Sequence, residues 1–474
     1  MRSYKSFLAA TALLATFTLF SQNVYLKKAP PQALSPLDHF LYNIWEKEKI
    51  SPAMEASDAV MVRRLYIDLV GRVPTPEEAL LYINDKNPDK QPQLVKKLLD
   101  SEEHAIFMTM RLGDELRIKS EFPINLWPNA AFLYSRTIYN ALRTNMPFDR
   151  FAMMMLLSDG SNFRNGYVNF LRAVSPKQPE QIADAAAKFL LGKPLLQLPA
   201  GEREKFRQAF SHIRFKSTRE WKEEIVYSLL PTADDPRYEL IPQIIAGKDF
   251  AQTAVKRCWR WIFGSENADP AIVEYLAEDF RKNKFDLRKL MFQICTSAAY
   301  RVGSLSAGNI ELMQKFAAIY PIRRLDAEVL ADSIAQITGI PYSYTSVIPE
   351  PFSYYNNRAA ALPDGSVSDQ FLLLFGRPSR DTGEQEERKS FITADQRLYL
   401  FNSTDLNNRL NNIMRNKIRK EKDKLGALYL LFYSRMPTKE ERQLFQKMSK
   451  EKGWKLLARM PWVLLNSKEF LYQH

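Results

Sequence analysis

The chain has 474 residues, an ordinary hydrophobic content of 46% and only 16 Gly, which excludes a fibrous or largely disordered protein. The length sets an expectation of two to three domains. Its formal charge is +13, and the excess is uneven: residues 409–474 hold 16 Lys and Arg against 6 Asp and Glu. Such a region either faces an acidic partner or forms a Lys-rich solvated surface.

At the N-terminus, Arg2 and Lys5 precede an apolar run from Phe7 to Phe20, which has the length of a signal-peptide core. A spanning helix needs about 20 apolar residues. Residues 1–22 therefore read as a signal peptide or, extended through Val24–Leu26, as an N-terminal anchor. The expected location is outside the cytoplasm: periplasmic, secreted, or tethered to the outer face of the cytoplasmic membrane. Residues 23–36 follow as a Pro-containing linker.

Apolar spacing then predicts helices over Leu37–Lys49 and Asp58–Val70. The second of these opens a unit that the chain repeats. Tyr66–Glu78 reads YIDLVGRVPTPEE, Trp259–Glu274 reads WRWIFGSENADPAIVE, and Tyr429–Glu441 reads YLLFYSRMPTKEE. In each, an apolar helix ends at a small residue (Gly71, Gly264, Ser434) and a tight turn follows. The next helix starts at an N-cap side chain: Thr75, Asp269 or Thr438. Pro76 and Pro270 suit the first helical position, where no N–H is needed. Glu78 and Glu441 sit three residues after the cap, where a capping-box partner belongs. A second echo closes each unit: LLDSEEHA ending at Ala105, ICTSAAYR ending at Arg301, and LLNSKEFL ending at Leu471.

Between the first two units, Pro123–Pro128 breaks the pattern, and helices are expected over Ala131–Arg143, Phe148–Leu157, Pro179–Leu191 and Arg203–Ile213. Asp159–Asn169 reads as a loop. A boundary near Thr232–Arg237 divides the chain into domains at 37–232 and 233–474. The second domain continues through helices Leu312–Tyr320 and Ala327–Thr338 into an irregular region, 339–393, rich in Pro and aromatics. Within it, Phe371–Phe375 fits a short strand or a buried helix equally. Helices resume at Ala394. The fold class is mainly α: a multi-helical two-domain protein with three related helical units and one long Pro/Tyr-rich irregular region.

Several ordered motifs carry a resemblance. Arg63-Arg64-Leu65, Asp68-Leu69 and Pro74-Thr75-Pro76-Glu77-Glu78 resemble the opening of a domain of unknown function found in exported planctomycete and verrucomicrobial-type proteins. Trp261-Ile262-Phe263-Gly264, Phe285-Asp286-Leu287, Thr296–Arg301, Arg323–Glu328, Phe375-Gly376-Arg377-Pro378 and Leu464–Phe470 resemble its usual companion. These are the tandem domains of unknown function fifteen-forty-nine and fifteen-fifty-three. The family supplies no established activity. Relatives often carry a Cys-x-x-Cys-His segment after the helix that ends here at Leu191, and a Cys-Glu-Cys-type stretch after the Gly-Arg-Pro motif. They are also often linked to cytochrome-c-like domains. Here the first place reads GKPLLQLPAGEREKF, the second is Gly383–Glu387, and Cys-x-x-Cys-His occurs nowhere. Haem, metal or thiol chemistry through those ligands is thus closed to this chain.

The chain's own cysteines, Cys258 and Cys295, could be joined in an oxidising compartment, but both fall in apolar helix patterns and the favoured reading is two free buried thiols. Its four histidines, His39, His104, His212 and His474, form no close pair, and no H-E-x-x-H, G-x-S-x-G, P-loop or G-x-G-x-x-G occurs. The sequence assigns no catalytic residue, no metal ligands and no cofactor. Glu77, Glu78, Glu440 and Glu441 are accounted for by helix starts, with Glu440 and Glu441 expected to turn inward.

Two regions stand out as candidate ligand sites. Tyr342, Tyr344, Phe352, Tyr354 and Tyr355 offer aromatic faces with hydroxyl handles, or pin a connector across helices. Arg377, Arg380, Asp381, Glu384 and Arg388 alternate charge in an irregular stretch. Their guanidinium forks either grip an anionic ligand or join the loop to the helices, and the pairs Arg63-Arg64 and Arg323-Arg324 share that ambiguity. Lys417, Lys420 and Lys424 represent the basic surface. The function these features favour is a non-catalytic exported binding or scaffold protein of the cell envelope, engaging acidic glycans or an envelope protein. The alternative is an extracytoplasmic enzyme acting on polysaccharide or its substituents beneath the Tyr-rich loop. A nucleic-acid partner is not expected, and membrane contact only through an uncleaved N-terminal segment.

Overall fold

A computed structural model describes residues 24–346, 348 and 357–474. The protein is mainly α, at 59% helix and 6% strand. The helices Asp58–Val70, Phe148–Leu157, Pro179–Leu191 and Ala327–Thr338 fall where apolar spacing places them. No helix among the described residues is long and apolar enough to cross a membrane. The signal or anchor segment, residues 1–22, lies outside the described residues.

Each of the three units starts its second helix at the expected cap. The Thr75 and Thr438 hydroxyls accept from the N–H of Glu78 and Glu441, whose carboxylates return to the cap N–H at 2.7 Å in both cases. Asp269 caps Pro270–Lys282 by accepting from the Ala271 N–H at 2.9 Å. The preceding helices end in left-handed residues: Gly71, Gly264 and Ser434. Ser434 has a φ of 60°, and a side chain there carries a steric cost that glycine avoids.

One hydrophobic core runs from Leu37 to Phe470 across both proposed domains. Helix Pro179–Leu191 packs on Lys248–Phe263, and Phe148–Leu157 packs on Arg237–Ala246. The chain's end completes the assembly. Strand Tyr472–Gln473 pairs antiparallel with Arg323–Arg324, placing Arg323 opposite Gln473. The twin arginines bind the units together from inside. Arg63 donates to the carbonyls of Phe432 and Phe470 at 2.8 and 3.0 Å. Arg64 donates to those of Tyr300, Val302 and His474 at 3.0, 2.8 and 2.7 Å. Arg324 reaches the carbonyls of Phe375 and Phe391 and the side chain of Gln396.

Several local features differ from the sequence expectation or resolve it; the helix expected over Leu312–Tyr320, for one, is Ile310–Lys315. Ile213–Ser217 and Glu224–Ser228 form an antiparallel hairpin joined at its outer edge by Gly160–Ser161. The helix expected over Arg203–Ile213 is Ala200–Ser211, and Ile213 opens the hairpin instead. Its strands carry β-branched and aromatic residues (Ile213, Phe215, Ile225, Val226, Tyr227), which suit a pleated surface. Phe371–Phe375 lies in and just beyond a short helix, Gln370–Leu374, fixed at its start by the Asp369 carboxylate accepting from the Leu372 N–H at 2.8 Å. Both cysteines are free and buried.

Candidate functional site

The irregular stretch after Gly376 doubles back on itself, with the Lys389 N–H bonded to the Gly376 carbonyl at 3.1 Å. Gly376, at φ 92°, is required there because a Cβ would run into the Lys389 backbone. This loop sends three arginines inward. Arg388 donates to Glu328 at 2.7 and 3.2 Å and to Asp114 at 2.6 Å, and lies 3.7 Å from Asp326. Arg380 donates to Asp114 at 2.9 Å and to the Ile118 carbonyl at 3.3 Å. Arg377 donates to the carbonyls of Val367 and Asp364 and lies 3.6 Å from Glu328. Arg111 closes the set on Asp326 at 2.6 Å.

Burial dominates the electrostatics of this cluster. It pushes the Arg377 guanidinium down to about 10, assisted by the neighbouring Arg380 charge. It also pushes the Asp326 carboxyl up, but Arg111, Arg388 and Arg323 overcome it and hold that group below the usual carboxylate range. Burial lowers Arg388 too, yet Glu328, Asp114 and Asp326 more than compensate and raise it. The three loop arginines thus face internal carboxylates and carbonyls. Helix Glu102–Glu115 supplies Arg111 and Asp114 from the first domain, and the start of Ala327–Thr338 supplies Asp326 and Glu328 from the second.

Asp381 and Glu384 lie further along the same loop. Asp381 pairs with Lys119 at 2.5 Å, and Glu384 pairs with Lys188. Glu384 lines a cleft of about 150 Å³ whose walls include Gly192 and Pro194 on one side and Gly383 and Gln385 on the other. These are the two places where the resemblance puts cysteines, and the fold brings them face to face. The cleft holds an ion-pair chain instead. Glu115 accepts from Arg257 at 2.6 Å and Arg260 at 2.7 Å, and Glu266 accepts from Arg260 and from Gln385.

Tyr342 and Tyr344 are buried in the core. The Tyr342 ring packs against Phe371 at 5.1 Å and carries the Arg409 guanidinium over its face at 3.8 Å. Tyr354 and Tyr355, with Phe352, lie outside the described residues. On the basic surface, Lys417 donates to the Gln336 carbonyl at 2.5 Å and Lys424 to the Glu421 carbonyl at 3.1 Å, while Lys420 is exposed. Glu441 turns inward to its helix start as expected. Glu440 stays exposed, because the cap N–H has room for one carboxylate, at the third helical position.

The sequence reading missed the partners that take up the loop arginines. Asp326 and Glu328 stood in a quoted motif. Asp114 carried no signal, being one polar residue in a buried helix. Among the described residues, no group of three or more His, Cys, Asp or Glu is placed to hold a metal ion.

Fold and site together define a multi-helical protein whose two halves share a core and whose internal arginines bind carboxylates across it. The chain belongs to the proteins that carry PSCyt2, a domain of unknown function (DUF1549), matched at residues 36–194, in tandem with PSD1 (DUF1553), matched at 246–449. No curated protein and no solved structure matches it.

Proposed function

We propose that this chain is an exported, non-catalytic binding or scaffold protein of the cell envelope that engages an anionic glycan. The observation that carries this reading is the ridge from Arg415 to Lys424, where six cationic residues stand against Glu421 and Asp423. Arg415, Arg419, Lys420 and Lys422 are exposed there and form no salt bridge among the described residues. Asp423, one of the two acids, is occupied by Arg442 at 2.6 Å. The arginines of the irregular loop contrast with these, since each faces an internal partner. An enzyme reading needs converging carboxylates in an open site, and those of the described cleft are paired with arginine or lysine.

The test is binding of the purified chain to chondroitin sulfate across a salt series. Exposed charges lose reach as the screening length falls to roughly 8 Å at 0.15 M. Affinity that drops steeply with salt supports the ridge as the contact. No binding even at low salt counts against it. Cell fractionation of the full-length protein checks the export half of the proposal.

A further inference from the structure

In the first and third units, the turn after the apolar helix is filled from within. Arg72, next to Gly71, donates to Glu78 at 2.8 and 3.0 Å and to Glu103 at 2.8 and 2.9 Å. Its guanidinium lies 5.0 Å from the centre of the Tyr66 ring. Arg435, next to Ser434, repeats this with Glu441, at 2.8 Å twice, and with Glu469 at 2.6 and 2.8 Å. The Tyr429 ring is 5.3 Å away. The spacing is the same in both copies. The ring stands six residues before the arginine and the first Glu six after it, while the second Glu stands two after a capping Ser.

The middle unit has Trp259 at the ring position and Ser265 in place of the arginine. Ile272, three residues after the Asp269 cap, and Ala299, two after Ser297, replace the glutamates, and both are buried. All three charged members are therefore missing together. Beside this turn lies a cavity of about 550 Å³. Trp259 and Phe263 give it a buried aromatic wall, with ring centres 4.2 Å apart. Ser265, Asn267, Asn309 and Gln314 give it an exposed wall of one hydroxyl and three amides. Glu311 and Lys315 add one charge of each sign at the same opening.

We propose that this cavity binds a neutral sugar unit. The chemistry of the walls selects the class. A cation would meet Lys315 as well as Glu311. An anion would meet Glu311 as well as Lys315. An uncharged ring with an apolar face and several hydroxyl or acetamido groups matches both walls, and the volume falls within the range of about 300–1,000 Å³ typical of small-ligand sites. The site is separate from the basic ridge and does not depend on it.

The repeat itself supplies the test. Ser265 lines the cavity and is exposed, so Ser265→Arg sets a long charged side chain, like that of the sister turns, at its opening and should obstruct it. Binding of N,N′-diacetylchitobiose and of cellobiose to the whole chain is measured by calorimetry and by tryptophan fluorescence. Wild type is expected to bind at least one of the two at millimolar concentration. Ser265→Arg should weaken that binding at least about tenfold, a change of about 1.4 kcal/mol, with the melting temperature and chondroitin sulfate binding unchanged. Ser265→Ala, which takes away one hydroxyl of the polar wall and adds no bulk, should weaken binding much less than Ser265→Arg. The exposed double variant Asn267→Ala/Gln314→Ala, which leaves the core untouched, should lose a similar factor and serves where the arginine variant fails to fold. Absence of binding by wild type, or binding undiminished in a folded Ser265→Arg or in the double variant, overturns the proposal.

Discussion

Asp68, in the first unit, is a buried carboxylate that collects donors from the middle unit, from the segment after it and from the C-terminal strand. The Tyr300 and Tyr320 hydroxyls donate to it at 2.7 and 3.0 Å, Gln473 donates at 2.8 Å, and Arg323 pairs with its other oxygen. Removing it strands the largely buried Arg323 guanidinium, and breaking such a pair costs up to about 3–5 kcal/mol. Asp68→Ala should lose that much in urea unfolding, whereas a loss below about 1 kcal/mol, the size of an exposed pair, would deny it this role. A second residue sets a pH dependence. His104 is buried with Nδ1 2.8 Å from the Leu69 carbonyl, and burial pushes its pKa down to about 4. The unfolded chain therefore binds a proton at pH values where the folded one does not. Stability from this group is present above the unfolded value of about 6.5 and is lost as pH falls toward 4, by roughly 3 kcal/mol in all. His104→Gln should flatten the urea-unfolding profile between those limits; an unchanged slope would contradict the assignment.

At the scale of elements, the helix starts were readable and their tertiary clasps were not. Thr75 with Glu78, and Thr438 with Glu441, show in the sequence because a capping box is a contact between residues three apart. The arginine that lies on each box reaches a second glutamate 31 or 34 residues on, Glu103 or Glu469, and nothing local announces that pairing. Hairpin Ile213–Ser228 was missed for a related reason: five-residue strands beside a helix carry too short a period to separate from a helix end. The irregular loop was legible as irregular, but whether its arginines faced outward depended on Asp114, more than 260 positions away in the chain. The clasps predict a graded result. Thr75→Ala should cost about 1 kcal/mol, the usual value of a cap. Arg72→Ala should cost about 1–2 kcal/mol, since it frees two glutamates that remain partly in water. Denaturant unfolding of the two variants checks the order; an arginine variant as stable as wild type would show the clasp to be energetically idle.

For the whole molecule, the tandem domains are held by one core and by charge pairs that cross between them, among them Arg111 with Asp326, Arg388 with Asp114, and Asp68 with Arg323. A chain built this way should unfold in one transition. Calorimetry showing two resolved endotherms near the two matched segments would contradict the shared core. The arginines of the irregular loop are engaged internally, whereas Arg415, Arg419, Lys420 and Lys422 are exposed, and the proposed function rests on those four. The most direct measurement is chondroitin sulfate affinity at fixed low salt for wild type and for Arg415→Glu/Arg419→Glu/Lys420→Glu. These three are chosen over Lys417 because its ammonium holds the Gln336 carbonyl. Surface substitutions usually change stability by no more than about 0.5 kcal/mol each, so the variant should stay folded. The account predicts at least about a tenfold loss of affinity, or about 1.4 kcal/mol. Affinity equal to wild type in a folded variant would contradict it.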